Sequence, residues 1–273
     1  MISRSNDGKQ RVLSLSYGKD SLACLGAIEQ LGLPLDRIIH AEVWATDTVQ
    51  ADLPPMVEFK AKADAIIKER WGFEVEHIRG KYTYEQHFYV PHIFNKSVPI
   101  LFPEKNGIYG FPIRSGAWCN SRLKVSALTK AQKGADAVYI GIAVEETARY
   151  HNLTGKKISP LVEAEWTEAN CRNWCEENDL LSPIYNTANR GGCWFCHNQS
   201  VGQLRLLRKN YPELWQLLLE WDNDSPVTFK ADGHTVHDFD RRFRLEDEGL
   251  IDPKATFRWS MLDDDLQYTI FKD

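Results

Sequence analysis

The chain has 273 residues, of which 43% are hydrophobic and 26% charged. Those proportions exclude wholesale disorder and allow either one enlarged α/β domain with an appendage or two domains. Lys and Arg number 33 against 38 Asp and Glu, a formal net charge of −5, which argues against broad electrostatic capture of nucleic acid and leaves room only for a local basic pocket.

Residues 11–16 (Arg-Val-Leu-Ser-Leu-Ser) form a β-prone run that ends in small residues, broken by Tyr17-Gly18-Lys19-Asp20-Ser21; residues 22–31 then carry a helical pattern that stops near Gly32. Residues 38–45 read as a second strand. After Pro54-Pro55, residues 56–71 space Val57, Phe59, Ala63, Ile66 and Ile67 as a helix does, and residues 73–78 read as a third strand. Residues 82–116, rich in aromatics, Pro and Gly, fit neither period and read as an irregular insertion or lid. A helix over 121–133, a strand over 137–142 and a helix over 166–178 follow. Residues 203–219 read as one helix, and everything past Trp221 as a polar wrapping extension. Strands alternating with helices predict right-handed βαβ units, hence an α/β fold with a doubly wound, mostly parallel sheet flanked by helices over residues 1–200 and a helical or irregular C-terminal extension over 201–273. The first ten residues lack the apolar core of a signal peptide, and no run of ~18 apolar residues occurs, so a cytoplasmic protein with no membrane partner is expected.

The sharpest local feature is the run Ser16 to Ser21 between a strand and a helix. Gly18 permits a tight turn, amides at the helix start face outward, the helix dipole favours an anion, and Lys19 adds a point charge: together a phosphate cradle. It is no Walker A loop, because Leu13 stands where the first glycine belongs and Asp20 follows Gly18-Lys19 where Ser or Thr is needed. Asp20 is suited instead to holding Mg²⁺ beside phosphates. The plainer alternative is a turn followed by a helix cap.

The run resembles the Ser-x-Gly-Lys-Asp-Ser loop of the phosphoadenosine phosphosulfate (PAPS) reductase family, within the adenine nucleotide alpha hydrolase-like, ATP-pyrophosphatase group. Asp47-Thr48 resembles the family's Asp-Thr, and Cys119 to Lys124 (Cys-Asn-Ser-Arg-Leu-Lys) its Cys-Thr-x-x-Leu-Lys segment. Gly141 to Arg149 resembles Gly-x-Arg-x-x-Glu-Ser-x-Arg, Trp166-Thr167 with Pro183 and Tyr185 the Trp-Thr helix that follows, and Gly192-Cys193-Trp194-Phe195-Cys196 the Gly-Cys-x-x-Cys close. The similarity spans about residues 11–245. It implies an adenine nucleotide, either ATP or an adenylyl sulfate (PAPS or APS), held by Ser16, Tyr17, Gly18, Lys19, Asp20, Ser21, Asp47, Arg122, Lys124, Gly141 and Glu145. Lys19, Asp20 and Arg149 would act on it, and a thiol or sulfur carrier would be a partner. Two departures stand out: Tyr17 replaces a frequent glycine, narrowing the loop's approach to a phosphate, and Ala143 replaces an anion-binding Arg. Arg114 completes the set of basic residues available for phosphate or sulfate, with surface charge as its simpler reading.

Six cysteines are too few for a disulfide scaffold, but Cys193 and Cys196 form a CxxC after Gly191-Gly192, Cys171 and Cys175 lie i,i+4 on a predicted helix, and 17 residues separate Cys175 from Cys193. Two ligand sets compete: Cys171, Cys175, Cys193 and Cys196, or Cys119 in place of Cys171. The resemblance favours Cys119, Cys175, Cys193 and Cys196. Thiolates suit zinc or a 4Fe–4S cluster equally. Cys24 reads as core. No cysteine follows Cys196, so the family's C-terminal nucleophile is missing and thiosulfonate chemistry is not expected.

Three functions are therefore weighed. The first is an enzyme that displaces at an α-phosphate or adenylyl sulfate in sulfur metabolism or sulfur transfer, with a Cys-ligated metal centre; the second is a non-catalytic nucleotide-sensing or partner-binding module with a structural four-cysteine metal site. The third, ranked last because of the net charge, is a zinc-ribbon-bearing nucleic-acid protein with Arg205, Arg208 and Lys209 as a basic helix face, tRNA or DNA then being a substrate for sulfur insertion. Oligomeric state is not legible.

Overall fold

The computed structural model describes residues 1–94, 102–112, 117–186 and 191–262, so Arg114 lies outside the described residues. The chain divides into two compact units: Met1–His87 with Trp118–Cys193, and Phe88–Ala117 with Trp194–Asp273. Most of the irregular insertion thus belongs with the C-terminal segment and not with the sheet, where the expected boundary at residue 200 had placed it.

In the first unit the elements run β1 (Arg11–Ser14), α1 (Lys19–Leu31), β2 (Arg37–Glu42), α2 (Pro54–Trp71), β3 (Val75–Arg79), α3 (Tyr84–Phe88, which ends in the second unit), α4 (Ser126–Ala131, preceded by a π-helical turn over Asn120–Val125), β4 (Ala137–Tyr139), α5 (Thr147–His151), β5 (Lys157–Ile158), α6 (Pro160–Glu163) and α7 (Glu168–Glu177). The strands form one sheet in the order β3-β2-β1-β4-β5, every pairing parallel. The α/β fold is as expected.

Side chains alternate across a strand, so neighbours in sequence serve opposite faces. Val12, Ile39 and Val138 pack with Leu128 and Ala131 of α4 on one face. Leu13, Ile38 and Tyr139 pack on the other with α1 and with Phe59, Ala63 and Ile67 of α2. Because α1 lies between the sheet and a further layer, Ser21 to Ile28 are buried without a break, which is why its pattern is apolar all round. The further layer is α6 and α7. A Cβ at Gly26 would stand 2.5 Å from the Trp174 ring, so glycine there admits the close approach of α7.

The second unit holds α8 (Val201–Asn210), α9 (Pro212–Asp224) and α10 (Val236–Asp247), with Phe88 and Phe111 from the insertion. Its core is aromatic. Trp194 stacks on Trp221 at 5.6 Å, Phe88 lies 6.1 Å from Trp221, and Phe111 meets Phe229 edge-on at 5.1 Å. The single helix expected over 203–219 is two, because Pro212 has no amide to donate and pushes Tyr211 to φ −138°, ψ 65°. The stretch past Trp221 is not merely a wrapping tail: α10 opens with a Thr235–Asp238 capping box and buries Val236, Phe239 and Phe243.

Candidate functional site

In the order β3-β2-β1-β4-β5 the connections leave β1 in opposite directions, so a crevice opens outside the carboxyl ends of β1 and β4. A cleft of about 330 Å³ lies there, lined by Ser14 to Gly18, Asp20, Ser21, His40, Asp52, Lys60, Lys124, Gly141, Arg149, Tyr185 and Cys193 among others. All of these belong to the first unit.

The loop at its base is held by its own hydroxyls. The Ser16 amide donates to Ser21 Oγ at 3.1 Å, the Ser16 hydroxyl to the same oxygen at 2.9 Å, and the Ser21 hydroxyl to the Gly18 carbonyl at 3.0 Å. Gly18 is the N-cap of α1 in extended conformation, φ −77°, and the Lys19 amide is taken by Tyr185 Oη at 2.9 Å. Among the described residues, the amides of Tyr17, Gly18, Asp20 and Ser21 donate to no protein acceptor. They surround the positive end of α1's dipole. The backbone of Gly141 closes the other side so tightly that a Cβ there would stand 2.6 Å from the Asp20 carbonyl carbon and from the Ser21 nitrogen.

The left-handed conformation in the turn falls on Tyr17, φ 58°, and not on Gly18. Tyr17 is fully buried, its hydroxyl donating to Asp64 and standing 3.1 Å from His77 Nε2. The expected narrowing of the loop by this side chain is therefore replaced by an anchoring role.

His40, from the carboxyl half of β2, and Lys60, from α2, were not expected in the cleft. His40 Nδ1 donates to the Leu15 carbonyl at 2.9 Å and its Nε2 receives the Lys60 ammonium at 2.9 Å, while Lys60 also pairs with Asp52 at 2.5 Å. Burial, reinforced by the Lys60 charge, pushes the His40 pKa down to about 3, so the ring is neutral. The available signal was position: the carboxyl end of a strand beside the switch point is where ligand-facing residues sit.

Of the other expected residues, Lys124 and Arg149 line the cleft, the latter paired with Glu146. Lys19 does not line it: its ammonium bonds Asp20 at 2.7 Å and Glu168 at 3.0 Å. Burial works against the Lys19 charge, but these two carboxylates outweigh it and hold its pKa above the usual lysine value. Glu145 accepts the Glu168 amide at 3.1 Å and so caps α7; Asp47 accepts from Gln86 at 2.9 Å; Arg122 is exposed on the π-helical turn. None of these three lines the cleft.

Of the favoured cysteine set, Cys119, Cys175 and Cys193 belong to the first unit. Among the described residues no three His, Cys, Asp or Glu side chains are grouped to hold a metal ion. α7 turns Cys171 and Cys175 inward against α1, where both are fully buried with Cys24. The Cys175 thiol donates to the Lys19 carbonyl at 3.3 Å, and burial, with Asp20 nearby, pushes it up to about 12; Cys171 and Cys24 are raised by the same cause. Cys196 belongs to the second unit. There Arg205 is bound in two bonds to Glu246, and Arg208 to Asp240 and Asp247. The basic face expected of α8 is thus largely neutralised by α10.

No helix among the described residues is long and apolar enough to cross a membrane. No family model matches the chain. An uncharacterized protein of Methanocaldococcus jannaschii is 22% identical over 232 residues, covering 79% of this chain and 41% of its own length. The chain therefore spans about two fifths of the curated relative it matches. Among solved structures, the U34-tRNA thiolase NcsA from Methanococcus maripaludis with its 4Fe–4S cluster aligns with TM-score 0.38 and 13% identity, over 97% of this chain and 83% of that one. At that score the likeness speaks to neither substrate nor cofactor. Neither protein is described as a PAPS reductase, and the resemblance to that family rests on the motifs alone.

Proposed function

We propose that the cleft binds an adenine nucleotide, ATP or an adenylyl sulfate, and that the protein promotes displacement at its α-phosphate or sulfate in a sulfur-linked reaction. The observation that carries this reading is the loop itself: four amides that donate to no protein acceptor among the described residues, at the start of α1, on a loop that lines a cleft at the switch point of a parallel sheet. The cleft's volume of about 330 Å³ suits a small molecule. In the displacement a nucleophile attacks the α-phosphorus, the bond to the bridging oxygen breaks, and pyrophosphate (or sulfate, from an adenylyl sulfate) departs with the electron pair. The loop amides and the helix dipole stabilise the negative charge, and Lys124 and Arg149 add cations at the rim. Mg²⁺ would neutralise phosphate charge, and Asp20 is the loop carboxylate in the cleft suited to hold it. That role requires Asp20 to exchange its bond with Lys19, and a phosphate contact from Lys19 requires its ammonium to leave Glu168 as well.

Calorimetric titration with ATP and with PAPS tests the reading. Micromolar binding of one, weakened at least tenfold in Lys19→Ala and Asp20→Ala, is expected; equal affinity in all three proteins discards it. The placement of Lys19 on Asp20 and Glu168 favours a second reading, a nucleotide-binding module without turnover. Release of pyrophosphate from ATP, or of sulfate from PAPS, separates the two, the module predicting binding with no release.

A further inference from the structure

Tyr17 occupies a backbone conformation, φ 58°, that a tyrosine holds only when its surroundings over-determine it. Here they do. The phenol is fully buried, donates to Asp64 and stands 3.1 Å from His77 Nε2. Its ring meets His40 edge-on at 4.7 Å, and the Lys60 ammonium lies 5.3 Å from the ring centre. His77 bridges outward, with Nδ1 2.8 Å from Glu42 and Nε2 2.9 Å from Asp64. Burial, and then the bond to Asp64, raises the phenol's pKa, so it stays a donor. Asp64 and His77 line an adjoining cavity of about 180 Å³, which shares Val43, Asp52 and Lys60 with the cleft, and they take no part in lining the cleft itself. The other side of the loop is pinned by His40 on the Leu15 carbonyl.

We propose that Tyr17 is a positioning residue: Asp64 and His77 hold its hydroxyl, and through it hold the left-handed turn that aims the Gly18, Asp20 and Ser21 amides at an anionic ligand. Affinity for nucleotide is then set in part by two side chains outside the cleft. The proposal rests on the reading that nucleotide binds at this loop. Glycine reaches the left-handed region without strain, so the turn can be kept either by glycine or by an anchored tyrosine, whereas alanine supplies neither.

The test is ATP titration of the full chain with urea unfolding measured in parallel, for Tyr17→Phe, Asp64→Asn, the double variant, Tyr17→Ala and Tyr17→Gly. Loss of one hydrogen bond predicts an affinity about five- to tenfold weaker in each of Tyr17→Phe and Asp64→Asn. The double variant should be no weaker than the worse single one, since both break the same link. Tyr17→Ala should weaken binding more than tenfold and Tyr17→Gly should regain most of it, although both remove the ring and its packing. A purely structural side chain predicts instead that Ala and Gly fall together and that affinity follows stability. Equal affinities for Ala and Gly, or a Tyr17→Phe affinity within twofold of the parent, overturn the proposal. If the Ala and Gly proteins do not fold, the Phe and Asn pair decides alone. A parent chain that binds neither ATP nor PAPS overturns both readings; a parent that binds, with every variant unchanged, overturns only this one.

Discussion

Gly141 stands where the fold admits no side chain. A methyl group would meet the backbone of Asp20 and Ser21 at 2.6 Å, and backbone at a helix start has little room to yield. Gly141→Ala is expected to destabilise by about 1–3 kcal/mol, as overpacking does, and to weaken ATP binding because the shift falls on the loop. Urea unfolding with unchanged midpoint would refute this. His40 gives a second expectation at this scale. Its pKa in the fold is about 3, against an ordinary value of 6.5, because burial and the Lys60, His77 and Lys124 charges oppose its protonation. The unfolded chain therefore binds the extra proton first. Stability contributed by neutral His40 is intact above about pH 6.5 and falls as pH drops from there toward 3, by up to about 1.4 kcal/mol per pH unit. Measured between pH 7.5 and 5, His40→Gln should show a correspondingly flatter decline than the parent.

Among the elements, the ion-pair layer between α8 and α10 carries a clear expectation. Glu246, with a side chain 4% exposed, receives Arg205 at 2.6 Å and Arg242 at 2.8 Å. Burial works against its charge, but the two guanidinium groups hold its pKa below the usual carboxylate range. Glu246→Gln leaves both cations short of a partner, and breaking such a pair costs about 3 kcal/mol. Chemical denaturation followed by tryptophan fluorescence would report it through Trp215 and Trp221, which are in the same unit. A loss under 1 kcal/mol would show that water satisfies the two cations. How far these elements were legible depends on length and on neighbours. The amphipathic spacing of 56–71 and the Thr167 cap of α7 could be read directly, since both signals are local. β5, two residues long, has no period to read. α10 was missed despite its capping box because four of its twelve residues are Asp or Glu and three are Arg, which hides the stripe of Val236, Phe239 and Phe243.

Taken whole, the molecule should respond to its ligand as one that binds only when folded. ATP at about 100 times its dissociation constant is expected to stabilise by about 2.7 kcal/mol and raise the melting temperature of the sheet unit by several degrees. PAPS replacing ATP as the stronger stabiliser would identify the adenylyl sulfate branch of the proposal. The alternation of strands and helices, and the glycine-bearing loop between the first strand and its helix, follow from local pattern, and these alone determined the α/β class and the place of the proposed anion cradle. The tertiary structure decided what the loop faces. It brought His40 and Lys60 into the cleft, turned Lys19 toward Glu168, gave Glu145 to a helix cap, and buried Cys171 and Cys175 as thiols. Spacing along a helix says which residues share a face, but only packing determines whether that face meets solvent, a ligand or the core.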